Sequence, residues 1–134
     1  MKIFSLALKR QMKDCILALF WPKRQIYEFF KECSVPDPVL RAVARWDVKG
    51  LTRAQMVDQV FAGLGKQADT GTLQFNIMLE MLSTWSHFDQ YWFVTEPELD
   101  LAAAKRQIAA LHAAKRDQID VARKAADEQR TNAT

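Results

Sequence analysis

Glycine and proline are scarce in this 134-residue chain, at four each. An all-β domain spends many such residues on its turns, so the deficit points away from sandwiches and barrels. The two cysteines, Cys15 and Cys33, are too few for a disulfide framework and lack zinc-ligand spacing. Two buried, reduced thiols are expected, with a Cys15–Cys33 bond as an alternative that nothing requires. No run approaches the roughly 18 apolar residues of a membrane span. The apolar patch from Ile3 to Leu8 is cut short by Lys9, Arg10 and Lys13, and no small-residue cleavage site follows. A signal peptide is therefore not expected, and a cytoplasmic location is.

What is present suits one globular domain. Of the residues, 49% are hydrophobic and 26% charged, enough to build a core and keep a solvated surface. Apolar residues recur at helical spacing. Leu8, Met12, Cys15 and Leu19 mark a first helix over 3–20, which Pro22 stops. Ile26, Phe29, Phe30 and Cys33 mark a second over about 23–33. Asp37 and Pro38 read as the N-cap and first residue of a third, about 38–46. Thr52 and Gln55 have the form of a capping box for a fourth, to about Leu64, with Gly63 and Gly65 as its stop. The segment 67–71 reads as a polar turn, and Thr72 as the cap of a fifth helix over 73–85. Thr95 to Glu98 reads as a second capping box, opening a last helix over about 96–128. The expected fold is all-α: a compact five- to six-helix bundle with a long charged C-terminal helix. The division is a bundle over 1–112 and an exposed charged helix or linker over 113–134, where i,i+4 pairs such as Arg116/Asp120 and Arg123/Asp127 replace large apolar residues.

The net charge of +3 hides opposed poles. Residues 1–24 hold six Lys or Arg against Asp14, a net of +5, whereas 67–100 hold six acids and no Lys or Arg. Such a split suits protein–protein contact, including head-to-tail self-association. It suits a nucleic-acid binder less well, because the acidic segment repels phosphate unless it faces away.

Groups able to do chemistry are few. His87 and His112 are the only histidines. Arg106 and His112 have a spacing similar to the Arg–x5–His of the helical RNases called HEPN domains, in which the Arg would hold a phosphate and the His act as acid or base; solvated helix residues are the alternative. His87 and Asp89 lack further ligands for a metal, and a corner histidine bonded to backbone is the simpler reading. No glycine-rich phosphate loop exists, and Ser5, Ser34, Ser83 and Ser86 have no nucleophile-elbow context. Lys2, Lys9, Arg10, Lys13, Lys23 and Arg24, with Phe20 and Trp21 alongside, form a basic face that either contacts phosphates or is simply solvated. Tyr91, Trp92 and Phe93 cannot all point inward from one turn, which leaves corner packing or a protein interface.

The run Leu19-Phe20-Trp21-Pro22-Lys23-Arg24-Gln25-Ile26-Tyr27-Glu28-Phe29-Phe30-Lys31-Glu32-Cys33, with Met56 to Phe61 and Trp85 to Asp89, resembles the N-terminal helical region of bacterial multidomain proteins linked to phage defence. Six short amphipathic helices resemble the death-like superfamily, with its CARD-like and effector-associated adaptor domains. The resemblance covers roughly residues 5–115 and rests on pattern; the long final helix departs from it. It implies a non-catalytic module that recruits effectors or self-associates through charged and aromatic surfaces. The sequence thus predicts a non-enzymatic adaptor or self-association module, with no cofactor, metal, membrane or small-molecule substrate. Its partner is a protein or another copy, with nucleic acid as the alternative. The candidate interface residues are Lys9, Arg10, Lys13, Lys23, Arg24, Asp89, Tyr91, Trp92 and Glu96.

Overall fold

Ser5 opens the first helix: its Oγ accepts the Leu8 N–H at 3.1 Å, satisfying one of the free donors of the first turn. The computed structural model describes residues 5–66, 68–88 and 99–132. Among the described residues there are seven helices and no strand, the all-α class that the apolar spacing predicts. They are α1 (Leu6–Leu19), α2 (Lys23–Glu32), α3 (Asp37–Leu40), α4 (Trp46–Lys49), α5 (Arg53–Gly65), α6 (Ala68–Ser83) and α7 (Leu101–Asn132). No helix among them is long and apolar enough to cross a membrane.

The core gathers one face from each long helix. Leu8, Met12, Cys15, Ile16 and Leu19 of α1 are buried with Met56, Val57, Val60 and Leu64 of α5 and Phe75, Met78 and Leu82 of α6. Phe29 and Phe30 of α2 extend an aromatic cluster that includes Phe20, with the Phe20 and Phe29 rings 5.1 Å apart. α7 lies antiparallel to α1. Gln11 and Cys15 meet Gln107, while Ser5 and Leu8 lie beside Ala114 and Gln118. Ala104 and Leu111 are the buried residues of this helix, and every described side chain from Arg123 to Thr131 is exposed. At 1.5 Å per residue α7 is about 48 Å long, so its last turns run past the bundle.

Several boundaries differ from expectation. The third helix is broken rather than continuous. α3 begins with Pro36 as its cap, one residue earlier than Asp37. After Leu40 the chain tightens into i→i−3 bonds (Ala42 to Val39, Val43 to Leu40), and Arg45 leaves the helical region at φ −113°, ψ 46°. The break re-aims Trp46 onto Tyr27, ring centroids 5.6 Å apart, while Val43 is buried. Gly50 then ends α4 in the left-handed conformation, φ 65°.

Gly63 does not stop α5; it lies inside it. A Cβ there would sit 2.9 Å from Val39 Cγ1, so glycine permits α3 to approach α5. Where a polar turn is expected at 67–71, the chain is already helical from Ala68. α7 starts at Leu101, not near 96. Asp100 caps it, its Oδ1 accepting the N–H groups of Ala102 and Ala103 at 3.0 and 3.2 Å. The expected box at Thr95–Glu98 lies outside the described residues. The Thr52/Gln55 box is present in full, with reciprocal bonds of 3.1 and 2.9 Å.

Candidate interaction surface

α1 turns its apolar face to the core, which leaves Lys9, Arg10 and Lys13 on the side that faces α5 and solvent. Lys13 Nζ reaches Asp58 of α5 at 2.7 Å. Lys9 Nζ sits 4.9 Å from the centroid of the Phe75 ring, which itself meets Phe61 edge to face at 5.1 Å. Arg10 is exposed. Leu6, 65% exposed, stands at the lip, and Phe61 and Ala62 form the far wall. With Asp58, these residues of α1 and α5 line a shallow open groove of about 340 Å³, apolar along Phe61 and Ala62 and basic along α1. A second shallow groove, about 300 Å³, lies between Ser5, Ala7 and Leu8 of α1 and Ala114, Gln118 and Val121 of α7.

The structure does not unite all the basic residues predicted for an interface. Lys23 and Arg24 sit at the start of α2, after the far end of α1, which is itself roughly 15 Å along the axis from Lys9. Asp89, Tyr91, Trp92 and Glu96 lie outside the described residues. Trp21, a sequence neighbour of the basic run, has its ring covered by Arg53, whose guanidinium carbon is 4.4 Å from the ring centroid.

The role of Arg53 is absent from the sequence expectations. It lies in the first turn of α5, yet its guanidinium donates to the carbonyls of Leu17 and Phe20, the latter at 2.9 and 3.3 Å. Burial holds its pKa below the usual arginine value. α1 has no basic residue in its own last turn, and that vacancy is the one signal the sequence offers.

Among the described residues the reactive groups do not converge. Arg106 and His112 are both exposed on α7, six residues apart, which sets them about 120° apart around the helix. His87 is exposed and packs edge to face on Trp85, centroids 4.9 Å apart. Cys15 donates to the Gln107 carbonyl at 3.1 Å, and Cys33 contacts Met81 Sδ at 3.5 Å. Both thiols are free and buried, and burial pushes each pKa up to about 12, so neither is a nucleophile near neutral pH. Among the described residues no three His, Cys, Asp or Glu side chains are placed to hold a metal ion.

No protein family, curated protein or solved structure matches this chain.

Proposed function

We propose that this chain is a non-enzymatic protein–protein interaction module that docks a partner protein on the α1–α5 groove. One observation carries the reading: an exposed leucine, Leu6, is set beside Lys9, Arg10 and Lys13 and across the groove from Phe61. An apolar centre flanked by cations is the surface that recognises an acidic amphipathic segment. A cytoplasmic adaptor role in bacterial defence is part of the proposal on the sequence resemblance alone.

The nucleic-acid alternative draws less support. Lys13 is already paired with Asp58, and Arg53 already occupies one face of the partly exposed Trp21 ring that a base would stack upon.

The test is a photo-crosslinking residue placed at Leu6 in cells expressing the protein. A discrete protein adduct, lost when Arg10→Glu is added, is the expected result. A crosslink to nucleic acid, or no adduct at all, overturns the reading.

A further inference from the structure

α6 carries the complement of the groove on the opposite side of the same molecule. Phe75 faces inward, against Phe61 and under Lys9. Leu73, two residues earlier, is rotated about 160° away around the helix and is 55% exposed. Glu80, seven residues after Leu73, returns to within about 20° of it and is exposed. Asn76 is exposed between them. This outer strip of α6 therefore presents one leucine followed by one carboxylate.

The charges match across the two surfaces. The groove holds Lys9, Arg10 and Lys13 against Asp58, an excess of cations with Arg10 exposed. Glu80 makes a loose exposed pair with Lys115, at 3.8 Å, which costs little to break. Leu6 and Leu73, each more than half exposed, are the apolar residues that the two surfaces would bury against each other.

We propose that the α1–α5 groove receives the Leu73–Glu80 strip of α6 from a second copy of this chain, so that copies associate head to tail. This rests on the interaction-module reading above and names its partner. The two surfaces face away from each other on one molecule, so the contact is heterologous. It leaves a free groove at one end and a free strip at the other, and it grows beyond a dimer unless a ring closes.

Sedimentation velocity from about 10 µM to about 1 mM, at low and high salt, tests the proposal. The average mass is expected to rise with concentration past a dimer, and to fall at high salt. Arg10→Glu removes the groove and Leu73→Ser with Glu80→Lys removes the strip. Each variant alone is expected to be monomeric, with association weakened at least tenfold and unchanged circular dichroism. An equimolar mixture of the two is expected to form a dimer and stop there, because each supplies the surface the other lacks. A wild-type monomer throughout, a dimer insensitive to both variants, or a mixture that stays monomeric overturns the proposal. The Leu6 crosslink separates this failure from that of the broader reading. A self-adduct supports head-to-tail contact; an Arg10-dependent adduct to a different protein overturns self-association and leaves the module reading standing.

Discussion

Arg53 reaches back from the first turn of α5 to donate to the carbonyl of Phe20 at 2.9 Å, closing the C-terminal end of α1 with a positive charge that the last turn of α1 does not carry. The same guanidinium bonds the Leu17 carbonyl and stacks on Trp21. One side chain thus satisfies helix-end carbonyls, opposes the negative end of the helix dipole and ties the first helix to the fifth.

Replacing Arg53 with methionine should cost about 2–3 kcal/mol, since hydrogen bonds to a charged group contribute about 1.5–3 kcal/mol each and the carbonyls would lose their donor. Arg53→Lys should recover only part, because an ammonium lacks the rigid planar fork that holds both carbonyls while lying flat on the indole. Urea denaturation, read through the midpoint at constant slope, measures both.

Cys15 and Cys33 make the protein's stability fall in alkali. Each pKa is raised from the ordinary thiol value of 9.0 to about 12 in the fold, chiefly by burial. The unfolded chain releases these protons near pH 9 while the folded one keeps them. Their contribution is therefore whole below about pH 9 and is lost progressively as pH climbs toward about 12. A variant with both cysteines changed to alanine should show a shallower decline over that window in a denaturation series. Native-state labelling by a thiol reagent at pH 8 should be slow, and complete only in denaturant; rapid native labelling would contradict the burial.

Gly63→Ala sets helix propensity against packing. Alanine gains up to about 1 kcal/mol in a helix interior. The added Cβ, however, meets Val39 Cγ1 at 2.9 Å, and a β-branched side chain cannot readily rotate away. A net loss of about 1 kcal/mol is expected. Val39→Ala should relieve it, and a double-mutant cycle should return a favourable coupling between the two positions.

Ser34 is the only residue other than glycine at positive φ among the described residues, at 61°. It closes α2 in a Schellman arrangement, with Val35 N–H to Phe30 O at 3.2 Å and Ser34 N–H to Lys31 O at 3.0 Å. Its own carbonyl accepts from the buried Gln74 at 2.9 Å, a bond a glycine keeps. Ser34→Gly should raise stability by about 0.5–1 kcal/mol, and Ser34→Val should lower it, in the same thermal or urea unfolding assay.

Local chemistry was enough to determine the long helices and their inner faces, though not the break between α3 and α4. Met56, Val57, Val60 and Leu64 recur with the period of a helix, and Thr52 and Gln55 satisfy each other's backbone within four residues, so both features were legible without any partner. The basic residues of α1 were legible as a group for the same reason: Lys9, Arg10 and Lys13 share one helix, and their spacing alone places them together. What only the tertiary structure decided involves residues far apart in the chain. Gly63 reads as a stop signal until Val39 is seen pressed against it. Arg53 has no assigned role until α1 presents its open carbonyls. The groove exists only because Asp58 and Phe61 arrive from α5 beside α1, and Leu73 acquires a meaning only because packing turns Phe75 inward. Periodicity and capping act within a turn or two of helix, whereas a binding surface is set by which helix faces the core consumes and which it leaves in water.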